Sequence, residues 1–262
     1  MSKTMLRKTL VGLTIIAILA PLAYLGGYFF MTVCLFFGVI AAHEINSLFH
    51  QGVNKIEMIV DAIAIGILYF ISRKYTVVWI IAVLVILFLM QLIFDESAEF
   101  TAYTFLMTVI VGFGEHGVSV IYSFGNREGF VTLLFICFAC YVCDAGAYFF
   151  GSFFGKHKMA PHVSPNKTWE GAIGGYLLAV IIAIIFYHVI KVPFDNSMLL
   201  VAAILLPFVA EIGDLSFSSI KRKFEIKDFG TLIPEHGGVL DRIDSVLFCL
   251  MVFQALMIVW GV

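Results

Sequence analysis

The chain has 262 residues, of which 61% are hydrophobic, 15% aromatic and 13% charged, and its mean hydropathy is +1.03. Soluble domains carry about 25% charged residues, so a soluble globular protein is excluded, and the length divides better into crossings of about 20 apolar residues each. A formal net charge of −2 and a pI near 6.4 argue against a general nucleic-acid binder, although the placement of the charges matters more than their sum.

In chain order, Lys3, Arg7 and Lys8 precede an apolar run with no small-x-small cleavage site after it, which reads as a retained first membrane helix and not a signal peptide. Apolar runs then recur at 9–25, 27–42, 58–72, 77–94, 101–122, 129–150, 171–190, 197–213 and 245–262. That pattern predicts about nine transmembrane helices, with eight or ten left open because Glu115 and His116 interrupt the fifth run. Long continuous runs favour helices over a barrel of short alternating strands. The expected fold class is all-α: a polytopic integral membrane protein with two cytoplasmic polar segments.

Placing the N-terminus inside puts twelve of the sixteen basic residues on one side: Lys3, Arg7, Lys8, Lys55, Lys156, Lys158, Lys167, Lys221, Arg222, Lys223, Lys227 and Arg242. Only Arg73, Lys74, Arg127 and Lys191 fall outside. The two longest polar segments, 151–170 and 214–244, then both face the cytoplasm, and the C-terminus lies outside. Neither repeats nor low-complexity linkers are visible. Residues 1–262 therefore read as one membrane domain, with N-terminal helices over about 1–125 and a catalytic half over about 129–262.

Cys34, Cys137, Cys140, Cys143 and Cys249 all sit in apolar stretches and read as small packed hydrophobes. Cys140 and Cys143 form a lone CxxC with no second pair to complete a zinc site. Asp144 stands near the end of an apolar run, where an ionisable group is costly and hence a functional candidate. Asp61 and Glu115, near the edges of their runs, are expected at helix ends or in solvent. His43 with Glu44 stays undecided, and His188 reads as packed or interfacial.

Residues 211–244 begin and end with acidic pairs, Glu211 with Asp214 and Asp241 with Asp244. The i, i+3 spacing puts both members of a pair on one helix face. Clustered carboxylates repel unless a cation joins them, and magnesium favours one or two carboxylates with waters and phosphate oxygens. Between the pairs, Lys221, Arg222, Lys223 and Lys227 supply the positive charge that a polyphosphate needs. Paired glycines, Gly237 and Gly238, allow backbone N–H groups to approach an anion. In the other polar segment, Ser164, Lys167 and Thr168 precede a helix expected near Trp169, a phosphate-favouring arrangement that also serves as an N-cap.

The stretch from Ser218 to Asp244 resembles the signature of the phosphatidate cytidylyltransferases, or CDP-diacylglycerol synthases. It agrees at Ser218, Lys221, Arg222, Lys227, Asp228, Gly230, Pro234, His236, Gly237, Gly238, Asp241, Arg242 and Asp244. A second block, from Asp144 to Tyr148 and then Gly155, Lys156 and Ser164 to Gly171, is similar too, except for Ser152 and Asn166 where the family commonly has arginine and lysine. Those departures remove two basic contacts near the expected site. The N-terminal half agrees mainly in hydrophobicity.

The resemblance implies that CTP and phosphatidate give CDP-diacylglycerol and pyrophosphate, on about nine transmembrane helices in a bacterial-type plasma membrane, often as a homodimer. It implies Asp214 and Asp241 as magnesium ligands, with Asp144 and Asp244 beside them, and leaves a second cation open. Lys167, Lys221, Arg222 and Lys227 would hold phosphates together with Ser164, Thr168 and the Gly237–Gly238 backbone. Asp228, His236 and Arg242 complete the catalytic set, with His236 a hydrogen-bonding residue and not a base. Two other readings stand beside it: an ion-coupled transporter, which intramembrane acids also fit, and a sister synthase acting on a different lipid.

Overall fold

The computed structural model describes residues 3–48, 54–232 and 237–262, with side chains from residue 11 onward. Pro234 and His236 lie outside the described residues. The described residues are 81% helical. It divides into two compact units, Met1–Ser119 with Asp228–Arg242, and Val120–Lys227 with Ile243–Val262.

The first unit contains α1 (Lys3–Leu25), α2 (Gly27–Asn46), α3 (Lys55–Phe70), a 3₁₀ turn at Arg73–Tyr75, α4 (Thr76–Phe94) and most of α5 (Ala98–Tyr122). Asn54 starts α3 by accepting the Ile56 N–H at 3.1 Å, which satisfies one of the first-turn donors that a helix leaves open. Leu68, Trp79, Val83, Leu87 and Met90 form a hydrophobic cluster in this unit, and the Trp79 indole N–H donates to the Ala64 carbonyl at 2.9 Å. The other side of α4 exposes Val77, Ile81, Val85, Phe88 and Leu92, a face suited to lipid rather than water.

Asp61 and Glu115 depart from expectation. Both are buried, at 1% and 5% exposure, and neither stands at a helix end, since α3 starts before Asp61 at Lys55 and α5 runs on past Glu115 to Tyr122. His116 is accommodated there by a 2.9 Å contact from Nε2 to the Ile71 carbonyl.

The second unit contains α6 (Asn126–Phe154), the strands β1 (Lys158–Ala160) and β2 (Ser164–Thr168), α7 (Trp169–Ile190), α8 (Asn196–Lys223) and most of α9 (Leu240–Val259). The antiparallel strands pair Lys158 with Thr168 and Ala160 with Ser164, a small exception to an otherwise helical chain. Small residues let α6 and α7 approach backbone to backbone. A Cβ on Gly175 would lie 2.4 Å from the Cys143 carbonyl oxygen, and one on Gly171 would lie 2.6 Å from that of Ala147. Such crossings hold helices together in lipid, where apolar burial gives no drive. Phe135 of α6 packs against Phe186, Tyr187 and Phe253.

Pro207 lies inside α8. Near it the Cys143 thiol donates to the Pro207 carbonyl at 3.4 Å and the Cys249 thiol to that of Leu206 at 3.3 Å. All five cysteines are free and none is exposed, as expected for packed small residues.

Among the described residues there are nine α-helices, and seven are long and apolar enough to cross a membrane. The apolar part of α1 is the shorter Val11–Leu25, and α3 has 16 residues. The chain is thus a polytopic helical membrane protein, while nine full crossings are not confirmed.

Candidate active site

The helix expected to stop near residue 213 continues to Lys223, which aligns Glu211, Asp214, Ser218 and Lys221 at i, i+3, i+7 and i+10, one face of α8. Glu211, Ser218 and Lys221 are buried at 7%, 9% and 8% exposure. Lys167, on β2, reaches this face: its Nζ lies 2.8 Å from Glu211 Oε1 and 2.5 Å from Asp214 Oδ2. Ser218 Oγ donates to Asp214 Oδ1 at 3.5 Å. Burial lowers the Lys167 pKa, but Asp214 and Glu211 outweigh it, so the ammonium is held above the ordinary lysine value. Two of its three donors face carboxylates.

Asp144 of α6 is half-buried and interacts electrostatically with Asp214, Lys167, Glu211 and Asp244. The α6–α7 crossing fixes the height of Asp144, and the strands leading into α7 bring in Lys167. Thr168 caps α7, its Oγ1 accepting the Gly171 N–H at 3.2 Å, while Ser164 opens β2 opposite Ala160. Glu170 clamps the preceding turn. Its Oε2 accepts the Lys156 and His157 N–H groups at 3.1 and 3.2 Å, and its Oε1 lies 2.5 Å from His157 Nδ1.

The basic residues at the end of α8 are partly structural. Arg222 donates from Nε to the Val163 carbonyl at 3.2 Å and from Nη1 to that of Ile226 at 3.0 Å. It ties the tip of the β1–β2 hairpin to the chain leaving α8. Arg222 and Lys227 are exposed, whereas Lys221 is not.

In the first unit, Asp241 Oδ2 accepts the Phe229 N–H at 2.8 Å and the Gly238 N–H at 2.9 Å. Glu44, at the end of α2, accepts Val239 N–H on Oε1 at 2.8 Å and Leu240 N–H on Oε2 at 2.9 Å. Its carboxylate therefore caps α9 and favours the positive end of that helix dipole. The glycines are explained by the same carboxylate, since a Cβ would lie 2.6 Å from Glu44 Oε1 at Gly230 and 2.4 Å at Gly238. Gly237 has a φ of +86°, which only glycine adopts cheaply. Asp228 and Arg242 are exposed on either side of this turn. Further along α9, Asp244 Oδ1 accepts the Ser245 N–H at 2.8 Å.

Asp144, Lys167, Asp214 and Asp244 thus gather in the second unit, and Asp228, Gly237, Gly238 and Asp241 in the first. Two contributors were read only in part from the sequence. Glu211 was read with Asp214 as one of the carboxylates a cation would join but was not among the catalytic residues, and Glu44, left undecided with His43, gave no signal that it reaches a segment 195 residues away.

The cytidylyltransferase family model matches residues 6–260. A Bacillus subtilis protein named phosphatidate cytidylyltransferase is 33% identical over 198 residues, 76% of this chain and 66% of that protein. Proteins of the same name from Staphylococcus haemolyticus and Staphylococcus epidermidis are each 38% identical over 143 residues, 54% of this chain and 55% of theirs. The chain spans just over half to about two thirds of the length of these relatives. With the family pattern running from the first helix to the last, the chain belongs to the cytidylyltransferase family.

Proposed function

We propose that the chain is a phosphatidate cytidylyltransferase, transferring CMP from CTP to phosphatidate to give CDP-diacylglycerol and pyrophosphate. The observation supporting it most is Lys167 held between Glu211 and Asp214 beside Asp144. A fixed cation among carboxylates suits a reaction in which two anions must meet. The relatives carry the name of that reaction.

In this reading a phosphate oxygen of phosphatidate attacks the α-phosphorus of CTP, the bond from that phosphorus to the β-phosphate oxygen breaks, and pyrophosphate leaves with the electron pair. The attacking phosphate is already ionised near neutral pH, so positioning and charge neutralisation replace a strong base. Lys221, Arg222 and Lys227 bind the triphosphate, with Ser164 and Thr168 bordering it. Lys167 aligns Asp214 and Glu211 and directs its third donor toward a phosphate. Asp228, His236 and Arg242 contribute hydrogen bonds and charge. The reaction takes place at the cytoplasmic face of a bacterial plasma membrane, in the half of the chain over 129–262, in a homodimer.

The donor set fits a magnesium ion. Among the described residues no group of three His, Cys, Asp or Glu side chains is arranged to enclose a metal alone, yet Glu211 Oε2 is buried with no hydrogen-bond partner, and all the donors are hard oxygens. Magnesium needs only one or two carboxylates when phosphates and waters complete its shell. Asp144, Asp214 and Asp244 are the residues of the second unit that would hold it, and when bound it would neutralise charge on the reacting phosphates.

The test is mass-spectrometric identification of the product formed by detergent-purified protein from CTP, magnesium and a panel of lipid phosphates. CDP-diacylglycerol formed only when phosphatidate is present supports the reading. Product from another lipid phosphate alone would replace phosphatidate with that substrate, and no product from any would overturn the reaction.

A further inference from the structure

A second polar cluster lies between α2 and α3, and it shares no residue with the carboxylates of α8 and α9. Asn46 is fully buried at the end of α2. Its Nδ2 donates to the Ala42 carbonyl at 2.9 Å and to Asp61 Oδ2 at 2.7 Å. Both amide hydrogens are therefore used, and turning the amide over would lose both bonds. The orientation is thereby fixed.

With the amide so fixed, Asn46 Oδ1 is a buried acceptor with no donor, and Asp61 Oδ1 is another. Asp61 is 1% exposed and has no ion pair among the described residues. Glu57, one turn earlier on α3 and also buried, adds a second carboxyl within electrostatic reach of it. Two buried oxygen acceptors on adjoining helices, neither with a hydrogen-bond donor among the described residues, call for a positive guest.

We propose that Asn46 Oδ1 and Asp61 Oδ1 ligate a hard, oxygen-coordinated metal cation seated between α2 and α3, with Glu57 contributing charge. The donor chemistry narrows its identity. No thiol or imidazole is in the set, which disfavours zinc and copper. Calcium accepts amide and carboxylate oxygens in irregular shells, whereas magnesium demands a near-octahedral one and keeps its waters. The site holds α2 against α3 and requires neither CTP nor lipid.

The experiment is calcium binding by chelator-stripped, detergent-purified full-length chain without nucleotide or phosphatidate, read by equilibrium dialysis and by thermal unfolding. Asp61→Asn and Asn46→Leu should each bind one equivalent fewer than the wild type and lose the calcium-dependent rise in melting temperature. The same loss should appear in an Asp214→Asn background, separating this site from the proposed catalytic one. Unchanged stoichiometry in both variants would overturn the proposal. So would a wild type that binds no calcium, magnesium or sodium while Asp61→Asn melts higher, since a proton would then be the guest. Asn46→Leu keeps the acid in place, so the test survives if Asp61→Asn fails to fold.

Discussion

Lys167 concentrates the electrostatics of the second unit, because its ammonium is the partner of both Glu211 and Asp214. Removing it leaves two carboxylates with no ammonium between them, and breaking such a partly buried pair from one side costs more than the pair is worth intact. Lys167→Met should lower CTP turnover by about 100-fold or more, on the scale of losing one preorganised charge contact, and Lys167→Arg should recover part of it. Its pH behaviour follows from the upward shift. The contribution is fully present below the unfolded lysine pKa of about 10.4 and is lost as pH rises through the higher folded value. The difference in melting temperature between wild type and Lys167→Met should stay flat from neutral pH to about pH 9.5, and narrow only above the unfolded value of about 10.4. Narrowing near neutrality would contradict this. Glu44 acts differently, through the backbone of the turn before α9. Glu44→Gln keeps one acceptor oxygen of two, so a loss of about 1 kcal/mol is expected, with faster amide exchange confined to 238–241 by mass spectrometry.

At the scale of elements, the helices were legible because lipid removes the ambiguity of amphipathic patterns: each apolar run became a helix at nearly the expected position. The N-cap at Thr168 was legible as well, from the hydroxyl and the apolar run after it. What the sequence hid was long-range pairing. Glu44 with Val239, Lys167 with Glu211, and Asn46 with Asp61 join residues whose local sequence says nothing of the partner. The burial of Asp61 and Glu115 was misread for the same reason, since helix limits alone do not say which face is covered. Continuation of α8 to Lys223 was hidden by its change from an apolar to a polar repeat. The α6–α7 crossing yields a sharp expectation. Gly175→Val should abolish folded protein, judged by monodisperse elution in detergent, because its Cβ meets backbone atoms at 2.4 and 2.5 Å. Gly66→Ala, whose Cβ meets only a leucine methyl at 3.5 Å, should elute as the wild type does.

For the whole molecule, the charge asymmetry of the loops and the exposed apolar helix faces describe a protein built for a bilayer. Orientation is testable by labelling. In a background without the five native cysteines, Asn166→Cys and Ser219→Cys should react with a membrane-impermeant maleimide only in inverted vesicles, and Lys74→Cys only in right-side-out ones. The reverse pattern would place the candidate site on the wrong side for cytoplasmic CTP.

The central claim is that the acidic face of α8, ordered by Lys167, carries magnesium-dependent transfer from CTP to phosphatidate. Its most direct test is pyrophosphate release by the purified chain, titrated with magnesium, in the wild type and in Asp214→Asn. The account predicts release that requires both substrates and the metal in the wild type. In the variant, the rate should fall by about 100-fold or more, with a magnesium requirement displaced to higher concentration. Equal rates and identical magnesium curves in the two proteins would contradict it.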